Sequence, residues 1–96
     1  MTDTSAHVLI IDDEEIIREA LQALLTMDGC VVRTASTAAE GLALLADEEF
    51  DTVLLDLMLP DRSGLDVLDD AERWQLAERR MLGGDTLTIH RRAARL

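Results

Sequence analysis

Short apolar runs recur along the chain, and between them apolar residues are spaced with the period of a helix. Each run is continuous enough for a strand that is buried on both faces, and we predict four strands, at 7–11, 30–35, 51–56 and 86–90. Helices are predicted over 14–27, over 38–46 and over 64–82. Alternation of strands and helices at this spacing implies right-handed crossovers, so the pattern predicts an α/β fold with a parallel sheet.

Local signals support the limits of these helices. Gly29 follows the first helical segment as a stop signal. Thr37 and Glu40 form a capping box at the start of the second helix. The pair Gly83-Gly84 ends the third predicted helix.

Three acidic residues stand where the first and third predicted strands end. Asp12 and Asp13 directly follow the first strand, and Asp56 ends the third. In parallel sheets the ligand site lies at the carboxyl ends of the strands. If these strands are neighbours, the three carboxylates meet in one shallow cleft. The alternative is that Asp12 and Asp13 only cap the first helix.

Close carboxylates have a defined chemistry. Three of them cannot all stay ionised unaided, so either protons or a cation must join them. Hard oxygen ligands without a nearby His or Cys suit Mg²⁺, which keeps several waters and takes one or two protein carboxylates. An exposed aspartate beside Mg²⁺ can accept a phosphoryl group, because the ion offsets the charge of the transferred oxygens.

Composition excludes several classes of function. Hydrophobic residues make up 48% of the 96 residues and charged residues 30%, as expected for one soluble globular domain. The net charge of −11 argues against binding of nucleic acid or of an anionic membrane by this segment. No apolar run is long enough to span a membrane. The single Cys30 fits a reducing compartment and the first residues lack a basic signal start, so we expect a cytoplasmic location.

Two stretches of the chain resemble a known family. "VLIIDDEEIIREAL" and "FDTVLLDLMLPDRSGLDVL", with Asp56 standing 43 positions after Asp13, are similar to the receiver domain of bacterial two-component response regulators (the CheY-like superfamily). The resemblance runs from about residue 7 to about residue 70. It implies a flavodoxin-like sheet with helices on both faces and strand order 2-1-3 at its start. It also implies that Pro60 and Gly64 shape the loop after the third strand.

The resemblance implies a role for each acid of the cleft. Asp56 would be the phosphoacceptor, charged from a phosphohistidine of a sensor histidine kinase. Asp13 would bind Mg²⁺ directly, and Asp12 would bind it through water or a hydrogen bond. Met58 would offer its backbone carbonyl to the metal ion.

The chain departs from the family pattern after about residue 70. A receiver carries a Ser or Thr at the end of its fourth strand and a Lys at the end of its fifth, and both contact the phosphoryl oxygens. This chain has no Lys, because all nine of its basic residues are Arg. Thr88 and Thr86 are the candidates for the switch hydroxyl, and Thr88 is the closer to a strand end.

A change of charge marks the same boundary. Residues 1–72 hold 18 acidic residues and three Arg, whereas residues 73–96 hold two acidic residues and six Arg. We therefore divide the chain into a receiver-like core, 1–72, and a divergent C-terminal segment, 73–96, that either belongs to the same domain or is a non-native tail. The sheet would be incomplete at its C-terminal end, with about four strands in the order 2-1-3-4.

Two explanations of the C-terminal segment stay open. Either the reading frame changed or the chain was truncated near residue 72, or this is a natural minimal receiver with a divergent end. In both cases an apolar parallel sheet loses cover on one edge and one face. We expect the isolated chain to be marginally stable, to self-associate or to need a partner.

Three functions follow from these observations. The first is a phosphoacceptor module of a two-component phosphorelay. The second is a phosphorylation-independent interaction module, which the missing Lys favours. The third is a hydrolase with an Asp nucleophile, but such enzymes carry a second Asp two residues further on, where this chain has Met58. We therefore expect that the protein is not an enzyme.

Overall fold

The structure, a computed structural model, describes residues 6–59, 61, 76–81 and 86–91 of the chain. Seven elements follow one another in these residues: β1 (His7–Ile11), α1 (Glu15–Met27), β2 (Val31–Ala35), α2 (Ala38–Asp47), β3 (Thr52–Asp56), β4 (Leu76–Met81) and β5 (Thr86–Arg91). The first five elements and the strand at 86–91 confirm the sequence prediction, with limits that agree to within one residue.

The five strands form one sheet in the order β2-β1-β3-β5-β4. β1 lies at the centre of a parallel half, where Val8 pairs with Val32 of β2 and with Thr52 of β3. Successive residues of a strand point to opposite faces of a sheet, and odd and even residues of β1 pack into separate clusters with α2 and α1 respectively. The predicted flavodoxin-like start, with order 2-1-3 and a helix on each face, is confirmed.

The C-terminal strands correct two sequence predictions. Residues 76–81 form a strand and not the end of a helix over 64–82; residues 64–75 and 82 of that predicted helix lie outside the described residues. The strand at 86–91 lies beside β3 as the order 2-1-3-4 requires, but it runs antiparallel to β3, and β4 pairs antiparallel with it at the edge. For the pairing of β4 with β5, the physical reason is connection length. Only four residues join β4 to β5, which is too short for a parallel crossover and suits an antiparallel pair.

Two apolar clusters hold the helices onto the sheet. The larger one joins β1, β2 and β3 to α2 and includes Phe50, which is 2% exposed. The smaller one joins Val8, Ile10 and Leu54 to the partly buried Leu21 and Leu25 of α1. No side chain of α1 is fully buried, and its apolar residues Ile16, Ile17, Leu24 and Met27 are exposed. The face of the sheet that carries α1 is therefore the less completely covered of the two.

α2 approaches β1 very closely at one glycine. A Cβ added to Gly41 would lie 2.4 Å from Cδ1 of Ile11, closer than carbon atoms can pack. This contact explains why a glycine stands within the helix despite its low helix propensity.

Among the described residues, no helix is long and apolar enough to cross a membrane.

Candidate functional site

Three carboxylates converge at the carboxyl end of the parallel half of the sheet. One oxygen from each of Asp12, Asp13 and Asp56 lies within 4.8 Å of the others. Asp12 is buried, Asp13 is exposed and Asp56 is half-buried. β1 and β3 are parallel neighbours, so the residues that end them lie at the same edge of the sheet. The structure thus brings together the three acids that the sequence analysis singled out.

Asp12 is held in place by hydrogen bonds to both its backbone and its side chain. Its N–H donates to the carbonyl of Ala35 over 3.0 Å, and its Oδ1 accepts from the N–H of Glu14 over 2.9 Å. The guanidinium of Arg18 donates to the Asp12 carbonyl over 2.9 Å. The N-cap residue of α1 is Glu14, whose side chain makes no capping hydrogen bond. Asp12 and Asp13 therefore do not occupy the capping position that the alternative interpretation gave them.

Asp56 has a perturbed acidity. Its Oδ1 accepts from the N–H of Met58 over 2.9 Å. Burial raises the pKa of Asp56 above its ordinary value, and the charges of Asp12 and Asp13 raise it further, while the Met58 N–H acts in the opposite direction. The ionised form of Asp56 is thus disfavoured by its surroundings, and a cation in the cleft would relieve both the burial and the repulsion.

The residues of the cleft fit Mg²⁺. The donors are carboxylate oxygens, which are the hard ligands that Mg²⁺ prefers. Two ligands of one octahedral Mg²⁺ lie at most about 4.2 Å apart, given Mg–O distances of about 2.1 Å. A mutual spacing within 4.8 Å therefore suits one ion that some carboxylates contact directly and another contacts through water.

The loop after β3 contains the other residues that were singled out. Met58 is 70% exposed, and its N–H is the group that contacts Asp56; the predicted use of its carbonyl stays a prediction. Pro60 and Gly64 lie outside the described residues. Leu59 is buried in the same apolar cluster as Ala38 of α2.

The two candidate hydroxyl residues lie at different levels of β5. Thr86 pairs with Asp56 and Thr88 pairs with Leu54. From the sequence, Thr88 was taken as the residue closer to a strand end. Because β5 is antiparallel, its first residue lies at the carboxyl end of β3, so Thr86 is the one level with Asp56.

Asp61 was missed by the sequence analysis. Its Oδ1 accepts from the N–H of Ala38 over 2.8 Å, and its Oδ2 accepts from the N–H of Ala39 over 3.0 Å. Asp61 therefore ties the loop after β3 to the first turn of α2. No local pattern predicts this contact, since the partners stand 22 and 23 residues apart and meet only in the fold.

Comparison with known proteins identifies the family. Residues 8–82 match the family model of the response regulator receiver domain. The chain belongs to this family. The matched residues include the three acids of the cleft and also β4. The boundary placed at residue 72 stays a prediction.

Similar proteins agree with this membership. The transcriptional regulatory protein KdpE of Mycobacterium tuberculosis is 50% identical over 70 residues, which are 73% of this chain and 31% of KdpE. The chain thus spans about a third of the length of this relative. A CheY-like receiver domain protein of Methanospirillum hungatei is 36% identical with a TM-score of 0.71, over 73% of this chain and 56% of that one.

A third similar protein was solved with ligands. The response regulator protein TrrA of Thermotoga maritima, in complex with Mg²⁺-BeF, is 34% identical with a TM-score of 0.67. The similarity covers 71% of this chain and 59% of TrrA.

Proposed function

We propose that this receiver domain accepts a phosphoryl group on Asp56, with Mg²⁺ bound beside it, from a sensor histidine kinase. One observation carries the proposal: carboxylate oxygens of Asp12, Asp13 and Asp56 lie within 4.8 Å of one another, with Asp56 half-buried. Membership of the receiver family and the similarity to TrrA, which was solved with Mg²⁺-BeF, support it.

The residues of the cleft have separate tasks in this proposal. Asp13 would bind Mg²⁺ directly, Asp12 would hold it through water, and Met58 would offer its carbonyl. The ion would supply positive charge for the oxygens of the transferred group. An Oδ of Asp56 forms the new bond to phosphorus while the bond from phosphorus to the donor nitrogen of phosphohistidine breaks, and that nitrogen keeps the electron pair. The product is an aspartyl phosphate.

The partners belong to the proposal as well. The phosphodonor is a sensor histidine kinase. The exposed apolar residues of α1, which include Ile16 and Met27, favour self-association of the isolated chain. The acidic charge disfavours nucleic acid and anionic membrane as partners. We propose a cytoplasmic location, in keeping with the single Cys30, which is a free thiol. We do not propose an enzyme, because Met58 stands where an Asp-nucleophile hydrolase carries its second acid.

A second function has one observation in its favour. The chain has no Lys, whereas receivers use a Lys to contact the phosphoryl group. An interaction module that keeps the fold without the phosphorylation switch would have this composition.

Phosphoryl uptake separates the two functions. The protein is incubated with Mg²⁺ and acetyl phosphate, and its intact mass is measured. We expect one added phosphoryl group on the parent protein, none on Asp56→Asn, and one on Asp47→Asn, which changes an exposed aspartate of α2. If the parent protein takes up no phosphoryl group, the phosphoacceptor function is refuted and the interaction module is the remaining candidate. A phosphoryl group on Asp56→Asn would disprove the assignment of Asp56 as the acceptor.

A further inference from the structure

The loop that follows the acceptor strand is anchored on both sides of Met58. On one side, the Met58 N–H donates to Asp56 over 2.9 Å. On the other, Leu59 is 8% exposed and lies in the apolar cluster that α2 shares with β1 and β3. Met58 itself is 70% exposed, so its side chain makes little of the packing that holds its backbone in place. The position of the backbone near Asp56 depends on the neighbouring anchors.

Asp61 supplies a second polar anchor among the described residues of this loop. Its two carboxylate oxygens accept from the N–H groups of Ala38 and Ala39, over 2.8 and 3.0 Å. These are the first two N–H groups of α2, which have no partner within the helix. A negative charge at this end is also favoured by the helix dipole. Two charge-assisted hydrogen bonds from one carboxylate fix the direction of the loop as well as its distance from α2.

Other hydrogen bonds at the N-terminus of α2 are made by residues that lie next to it in the sequence. Thr37 Oγ1 accepts from the N–H of Glu40 over 3.2 Å, and the Glu40 carboxylate accepts from the N–H and hydroxyl of Ser36. These bonds are local, because each joins residues three or four positions apart. Asp61 therefore differs from Thr37 in one respect, because it joins the helix to the segment that carries Met58.

We infer that Asp61 is a positioning residue for the phosphoacceptor site, which holds the backbone at Met58 in place for the metal ion by fastening the loop to α2. The expected effect of Asp61 on Mg²⁺ binding and phosphorylation rests on the proposed function, whereas its role in fastening the loop to α2 does not. In this inference Asp61 is not itself a ligand of the metal ion. It acts through the loop, as supporting groups outside a metal site commonly do.

The test compares Asp61→Ala and Asp61→Asn with Thr37→Ala. Thr37→Ala also removes a capping hydrogen bond from α2, but it leaves the loop attached, so it is the matched control for loss of helix stability. Two quantities are measured on each protein: amide hydrogen exchange at Met58 by NMR without Mg²⁺, and the Mg²⁺ dissociation constant by titration calorimetry. The rate of labelling by acetyl phosphate is a third readout.

We expect Asp61→Ala to speed exchange at Met58 and to raise the Mg²⁺ dissociation constant about tenfold, at the lower end of the effect of supporting groups around metal sites. Asp61→Asn keeps one acceptor oxygen, so its exchange rate and Mg²⁺ dissociation constant should lie between those of the parent and of Asp61→Ala. It replaces Asp61→Ala in the test if that variant does not fold. Thr37→Ala should match the parent in both quantities. Parent-like exchange in the Asp61 variants, or equal changes in Thr37→Ala, would overturn the inference. A parent that takes up no phosphoryl group would refute the proposed function, and the exchange at Met58 would still decide the role of Asp61.

Discussion

Gly41→Ala is predicted to destabilise the protein, although the same change stabilises most helix interiors. Gly41 is buried in α2, and a Cβ there would lie 2.4 Å from Cδ1 and 2.9 Å from Cγ1 of Ile11. Ile11 is 0% exposed, so its side chain cannot turn out into solvent. Either Ile11 leaves its rotamer or α2 moves away from β1, and both cost packing energy.

The magnitude follows from two opposing terms. Overpacking of a core costs about 1–3 kcal/mol. The gain in helix propensity from Gly to Ala offsets about 1 kcal/mol of this. We therefore expect a net loss of about 1 kcal/mol in the free energy of unfolding. Ile11→Val removes Cδ1, the nearest atom, and by itself costs about 0.5–1.5 kcal/mol. In the presence of Gly41→Ala this second cost should be smaller, because the removed atom is the one that clashes.

Urea unfolding followed by circular dichroism measures all four proteins of this double-mutant cycle. Ala43→Gly, at an exposed position of the same helix, supplies the local propensity difference between Gly and Ala. We expect a coupling of about 1 kcal/mol between Gly41→Ala and Ile11→Val, in the direction of rescue. If Gly41→Ala stabilises by as much as Ala43→Gly destabilises, or if the two changes are additive, the close approach of α2 to β1 is wrong.

Three further predictions concern the cleft and the exposed helix. Asp13→Asn should weaken Mg²⁺ binding sharply in calorimetry, because it removes a ligand. It also removes a repelling charge, so the melting temperature without metal should be unchanged or higher, and a steep fall in melting temperature would contradict this. Burial raises the pKa of Asp56 in the folded state, so the folded state binds this proton more tightly than the unfolded chain does. The metal-free protein should therefore become more stable as the pH falls from neutral through the raised pKa of Asp56 towards its ordinary value. Asp56→Asn should lack this gain in urea unfolding at each pH, and equal pH dependence of the two proteins would refute the assignment. Leu24 is 62% exposed on α1, so Leu24→Gln should reduce self-association in sedimentation without loss of stability, and an unchanged association constant would exclude this face.

The local pattern was sufficient for the first half of the fold. Continuous apolar runs are required in strands that are covered on both faces, and this constraint located β1, β2 and β3 to within one residue. The capping signal at Thr37 predicted the start of α2, because its side chain bonds to the N–H of a residue only three positions away. The three acids could be grouped because parallel strands place their carboxyl ends at one edge.

The rest depends on partners that are distant along the chain. "LAERRM" at 76–81 consists largely of good helix formers, yet it pairs with β5, because ladder hydrogen bonds and sheet packing outweigh a weak intrinsic preference. The direction of β5 determines that Thr86 and not Thr88 is level with Asp56, and no property of either threonine encodes that direction. Asp61 caps a helix that begins 23 residues earlier, so its role exists only once β3 and α2 have packed together.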